Sequence, residues 1–260
     1  MNIPLPEQPT TWVLLRGLMR EKRHWGEFAG QFQTALGAPV VCLDFSGNGS
    51  LHARRSSSSV AAMRQELREQ LQQLGHAPPY RVLALSLGAM VAVDWATQFP
   101  NEVEKLVLIN TSLAPYNPFY QRLRPQNYPA LLQFLCAGSL AQREALILRL
   151  TSQQSGTTRA AAILEQWLSY AKLCTITRSN ILRQLYAAIR YRAAPVAPAV
   201  PLLLLGGQHD QLVNVQCSIT LAQRWLCPLK LHPSASHDIP LDDAAWVIQQ
   251  IRMWLNQVEV

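Results

Sequence analysis

Six short apolar runs, at residues 12–16, 40–44, 81–85, 106–110, 201–205 and 229–232, are separated by longer stretches of helical periodicity. Nothing else in the sequence narrows the fold as much. β-rich runs alternating with amphipathic helices are the pattern of a parallel sheet covered by helices on both faces. The clearest helix spans 59–74, where Val60, Met63, Leu67, Leu71 and Leu74 recur at three- and four-residue steps behind Ser59 as N-cap and before Gly75. A second spans 243–258 and carries Trp246, Val247, Ile251 and Leu255. With 260 residues, 49% of them hydrophobic, the chain can bury one sizeable core.

The stretch 113–194, between the fourth and fifth runs, is long, helical in pattern and without a strand signal. It reads as a helical lid inserted into a core formed by 1–112 and 195–260, with the Pro-rich segment 193–201 as the stiff return linker. Residues 56–59 are a serine run that reads as a solvated loop leading to a helix cap. The net charge of +7 first suggests nucleic acid, but its distribution argues against that reading. Ten basic residues (Arg122, Arg124, Arg143, Arg149, Arg159, Lys172, Arg178, Arg183, Arg190 and Arg192) face only Glu144 and Glu165 within the insert. The remainder is nearly neutral, so the basic character belongs to the lid. No stretch reaches the roughly 18 to 20 apolar residues of a membrane span, and the first ten residues lack a signal-peptide pattern, so a cytoplasmic location is expected. Five scattered cysteines without a C-x-x-C pair suggest neither a disulfide framework nor a zinc site.

The third run turns on a serine and continues with helical periodicity, as Ala84-Leu85-Ser86-Leu87-Gly88. A strand that stops sharply and re-enters a helix lifts one hydroxyl clear of the sheet and leaves the next backbone N–H free to hold a developing oxyanion. The usual pattern is Gly-x-Ser-x-Gly; Ala84 departs from it by one methyl group. A serine needs a histidine to take its proton, and the histidine needs an acid to fix its tautomer. Asp210 follows the fifth run and His237 follows the sixth. His209 precedes Asp210 and is expected to point away, His232 lies in a strand, and His52 and His76 fall in loops. His24 suits the site entrance, a surface position or a helix-capping role. Asp238, Asp242 and Asp243 are rival acids, but Asp238 adjoins the base and the other two open a helix, where carboxylates suit the dipole. After the fourth run the chain reads Asn110-Thr111-Ser112, with no carboxylate.

The order Ser86, Asp210, His237, together with Arg16-Gly17-Leu18 after the first run and Asp44-Phe45-Ser46-Gly47-Asn48-Gly49 after the second, resembles the α/β-hydrolase superfamily. The resemblance covers the chain apart from the lid. It implies a mostly parallel sheet of about six strands. It further implies Ser86, Asp210 and His237 as catalytic residues, with the backbone N–H groups of Leu18 and Leu87 as oxyanion donors. Arg16 stands where the family has histidine. It reads as a structural residue or as a cation facing a substrate, and Arg16 and Trp25 are taken as substrate-binding candidates. With Arg20, Lys22 and Arg23, Arg16 would form a positive rim. No G-x-G-x-x-G, phosphate-loop or H-E-x-x-H pattern occurs, so no cofactor or metal is expected.

The expected activity is hydrolysis of a carboxylic ester or thioester through an acyl-enzyme, with Trp167 and the Leu- and Ala-rich lid facing an apolar acid part. The basic lid would suit an acidic acyl-carrier protein. Two alternatives stand beside it: a non-hydrolytic binding protein on the same fold, and a lyase or carbon–carbon hydrolase using the same triad.

Overall fold

The computed structural model describes residues 9–136 and 139–258, the side chains of Leu135 and Cys136 excepted. The first eight residues, on which part of the signal-peptide reading falls, lie outside that range. In chain order the elements are β1 (Trp12–Leu15), α1 (Phe28–Leu36), β2 (Val40–Leu43), α2 (Val60–Gln73), β3 (Tyr80–Leu85), α3 (Leu87–Gln98) and β4 (Val103–Ile109). There follow α4 (Phe119–Arg122), α5 (Tyr128–Cys136), α6 (Leu140–Thr151), α7 (Ala160–Leu173) and α8 (Arg178–Arg190). The chain closes with β5 (Leu202–Gly207), α9 (Gln216–Trp225), β6 (Leu229–His232), α10 (Ile239–Asp242) and α11 (Ala244–Val258). All six expected strands are present, and the helix read at 59–74 begins at Val60 with the Ser59 hydroxyl accepting from the Ala62 N–H at 3.2 Å.

The strands form one sheet in the order β2-β1-β3-β4-β5-β6, every neighbouring pair parallel. Alternate strand residues enter opposite layers. Val13, Leu15, Val82, Ala84, Leu106 and Leu108 pack with Met63, Leu67 and Leu71 of α2 and with α3. Trp12, Leu14, Leu83, Leu85, Val107 and Ile109 pack with Phe28 and Phe32 of α1 and with Ile251 and Trp254 of α11. The two apolar layers explain why the strands read as continuous apolar runs.

The order reverses at β1: the chain moves outward to β2, then returns across β1 to β3. A crevice opens beside the carboxyl ends of two strands at such a point, and ligands of open α/β sheets bind there. Gly17 follows β1 and Ser86 follows β3, so the crevice falls between the two loops singled out in the sequence.

Helices α4 to α8 fill the sequence between β4 and β5 and carry a small core of their own, built on Phe134, Leu148, Ile163, Trp167 and Ile181. The insert is tied at its base, where the Ala193 N–H donates to the Ala114 carbonyl at 2.7 Å and the Tyr116 hydroxyl donates to the Ala194 carbonyl. It is tied to the core again through α8. Gln184, fully buried, donates to Asn48 Oδ1 and Ser56 Oγ and accepts from the Met19 N–H. Ser56 is therefore not a solvated loop residue: it is buried, donates to the Ser46 carbonyl, and joins the core to α8 through Asn180 and Arg183. Among the described residues, four cysteines are free thiols, no group of side chains has metal-ligand spacing, and no helix is long and apolar enough to cross a membrane.

Candidate active site

Ser86 sits between β3 and α3 with φ +56° and ψ −114°, a region that a residue with a Cβ rarely occupies. Such strain costs about 1 to 3 kcal/mol and persists where the surroundings impose it. Here they do. The Ser86 N–H is fixed to the Ile109 carbonyl at 3.0 Å, and a Cβ on Gly88 would lie 2.5 Å from the Arg16 carbonyl oxygen. Only glycine lets α3 start this close to the end of β1. The chain turns sharply, and the Ser86 hydroxyl makes no helix cap although the residue occupies the cap position. Gly17 lies against the serine from the other side, since a Cβ there would be 3.1 Å from Ser86 Cβ. Leu87 is the first residue of α3, so its N–H belongs to the helix's set of donors without an intrahelical partner.

Asp210 and His237, expected from sequence to meet, do meet. Asp210 Oδ2 is 2.7 Å from His237 Nδ1, with both side chains almost fully buried. The other carboxylate oxygen accepts from the backbone N–H groups of Leu212 and Val213 at 2.8 and 2.9 Å, and the Asp210 carbonyl accepts from Arg124 of the insert. A carboxylate gripped in this way holds an imidazole with the proton on Nδ1 and Nε2 free to accept one. His209, beside Asp210, is exposed.

Sequence reasoning missed the residue that sets this pair. Asn110, at the end of β4 with φ +45°, donates from its side-chain nitrogen to the carbonyls of Ser236 and His237 and accepts from the Gly207 N–H. One amide thus spaces the end of β5, where Asp210 begins its loop, from the histidine loop. Its signal was the missing carboxylate at that strand end. Gly207 permits the approach, because a Cβ there would collide with the carbonyls of Ala235 and Ser236.

The rival acids have other partners. Asp238 pairs with Arg16; Asp243 takes the Trp246 N–H at the start of α11 and meets His232 at 3.2 Å. Asp242 does not serve a helix start. It accepts from Ser152 and Gln153 of the insert and from the Ser236 N–H, and burial pushes its carboxyl up.

Arg16 and Trp25, the substrate-binding candidates, are buried and engaged with one another: the Trp25 ring covers the Arg16 guanidinium at 4.7 Å, and that guanidinium is bidentate to Asp238, as suits the structural alternative for Arg16. The expected positive rim is also absent from Arg20 and Arg23. Arg20 pairs with Glu144 at 2.7 Å and lies over Trp167, and Arg23 pairs with Glu21 and lies over Tyr170. Trp167 is consequently buried in the seam between insert and core. His24 stands edge-on to both aromatic rings, and its Nδ1 accepts from the Glu21 N–H. The turn 44–49 holds this loop from beneath, Asp44 accepting from the Lys22 N–H and Asn48 donating to the Arg20 carbonyl.

A family model described as serine aminopeptidase, S33, matches residues 8–244. Among curated proteins, an abhydrolase domain-containing protein of Schizosaccharomyces pombe is 29% identical over 125 residues, 45% of this chain and 41% of the relative, so the match spans less than half of that protein. Solved structures of similar fold include an enol-lactonase from Burkholderia xenovorans LB400, 18% identical, TM-score 0.78, with 96% of this chain and 92% of the other covered. A thermophilic esterase from Thermogutta terrifontis is 18% identical, TM-score 0.78, with 97% and 92% covered.

Proposed function

The chain belongs to the serine aminopeptidase S33 family of α/β-hydrolases, and on that footing we propose that it cleaves a carboxylic ester or thioester through a covalent acyl-enzyme. The observation that carries this reading is the buried Asp210–His237 contact of 2.7 Å in the loops that follow β5 and β6, at the same carboxyl end of the parallel sheet where Ser86 follows β3. In the proposed cycle, the Ser86 oxygen attacks the carbonyl carbon while His237 Nε2 takes the hydroxyl proton. The tetrahedral oxyanion accepts hydrogen bonds from the N–H groups of Leu18 and Leu87, and collapse expels the alcohol or thiol, which receives the proton from His237. Water, deprotonated by the same histidine, then releases the acid and restores Ser86. Asp210 remains an acceptor throughout.

We read the insert as a lid, held over the site by α8 and by the turn after α6. Its positive charge is distributed unevenly. Arg122, Arg124 and Arg183 donate to backbone carbonyls of the fold, whereas Arg178 and Arg190 stay exposed and flank Leu182 and Tyr186 at four-residue steps along α8. That outward face, apolar between two cations, supports an acyl group delivered on an acidic carrier protein.

Turnover of a free acyl ester and of the same acyl group on an acidic carrier, measured at low and high salt with Ser86→Ala as control, tests both parts. The expected result is hydrolysis of both by the wild type, a carrier rate that falls with salt, and at least about a thousandfold loss in the variant. Equal salt responses would remove the carrier, and undiminished turnover by Ser86→Ala would remove the nucleophile.

A further inference from the structure

Two loops border the proposed reaction centre, and a buried ion pair joins them. Arg16 directly precedes Gly17 and Leu18; Asp238 directly follows His237. The two terminal nitrogens of Arg16 donate to the two oxygens of Asp238 at 3.1 and 2.5 Å, with 3% and 4% of the side chains exposed. The Trp25 ring lies against the guanidinium at 4.7 Å, and the Asp238 N–H is itself fixed to the Thr151 carbonyl at 2.7 Å. A bidentate arginine–carboxylate contact fixes angle as well as distance, which a lysine point charge does not. Buried pairs of this kind add little net stability over a well-packed apolar pair, so their effect is to be sought in geometry.

We propose that Arg16 and Asp238 are positioning residues, whose ion pair holds the Leu18 N–H and the His237 ring in one rigid frame so that oxyanion donor and base address the same carbonyl group. The proposal rests on the hydrolase reading above. It also accounts for arginine in the place of the family's histidine: the partner carboxylate lies 222 residues away, across the site, and a long forked side chain spans that gap. Misplacement of either loop leaves substrate binding largely intact and weakens interactions made only in the transition state, so the loss falls on kcat.

The test measures kcat and KM for p-nitrophenyl butyrate, thermal melting, and the rate of fluorophosphonate attachment to Ser86 in four variants: Asp238→Asn, Arg16→Lys, Arg16→Met, and the double Arg16→Met/Asp238→Leu. The double variant removes both buried charges together and leaves neither unpaired, so it is expected to be more stable than a single truncation. Expected are a kcat lower by about tenfold or more in Asp238→Asn with KM within about threefold, and partial recovery in Arg16→Lys. The double variant is expected to melt near the wild type yet remain as slow as the single variants, with attachment to Ser86 slowed in parallel. A folded double variant with wild-type kcat overturns the proposal. A loss confined to KM overturns it as well. A wild type that neither turns over ester nor takes the label overturns the underlying hydrolase reading, and the pair's role with it.

Discussion

At the scale of single residues, the site depends on positions where the backbone leaves the ordinary regions or where another chain segment comes too close for a side chain. Ser86 and Asn110 both carry positive φ, and Gly88 and Gly207 admit carbonyls that a Cβ would strike. Asn110 is the most exposed to test. It makes three buried hydrogen bonds, each worth about 1 kcal/mol, and its conformation costs a β-carbon residue other than Asn roughly 1 to 2 kcal/mol. Asn110→Ala is therefore expected to lose about 3 to 5 kcal/mol of unfolding free energy in urea, and Asn110→Gly, which escapes the backbone penalty, to lose about 1 kcal/mol less. Equal stability of Ala and wild type would show that Asn110 does not hold the histidine loop. These positions also mark where the sequence was legible. Ser86, Asp210 and His237 stood out because each follows an apolar run at a recognisable distance. Asn110 and Asp238 did not, because their partners are 97 to 222 residues distant and no local pattern announces a hydrogen bond across that span.

At the scale of elements, the strands and long core helices could be read from periodicity because burial on both sheet faces leaves the strands uniformly apolar and the helices one-sided. The seam between insert and core could not. There Arg20 lies over Trp167, Arg23 lies half-buried over Tyr170, and His24 stands edge-on to both rings, so Arg20 and His24, which look like a surface cation and a free histidine, are interior parts. Burial first, and then the neighbouring Arg20 and Arg16 guanidinium groups, hold the His24 imidazole well below its ordinary value of 6.5. The folded chain therefore binds fewer protons at this site than the unfolded chain between the ordinary value near 6.5 and the lowered value of the folded state, and its stability falls as pH falls through that window. Urea midpoints at pH 7.5 and 5.5 check this: the wild type should weaken with acid, and His24→Gln should weaken by less. An unchanged slope in the variant would place the proton uptake elsewhere.

At the scale of the whole molecule, one parallel sheet carries every proposed chemical group at the carboxyl ends of its strands, and the insert makes contacts to both loops that border them. Gln184 of α8 holds the Met19 N–H beside the proposed oxyanion donor, while Thr151, Ser152 and Gln153 hold Asp238 and Asp242 beside the base. The exposed positive charge of the insert falls on Arg149, Arg159, Lys172, Arg178, Arg190 and Arg192, whereas the arginines nearest the site are paired or bonded inward. The central claim is that this arrangement activates one serine. The most direct measurement is the intact mass and peptide map of the chain after exposure to a fluorophosphonate probe, run on the wild type, His237→Ala and Asp210→Asn. A single adduct on Ser86 in the wild type, forming far more slowly in both variants, is the predicted result; a folded wild type that takes no adduct, or takes it at another serine, would contradict the account.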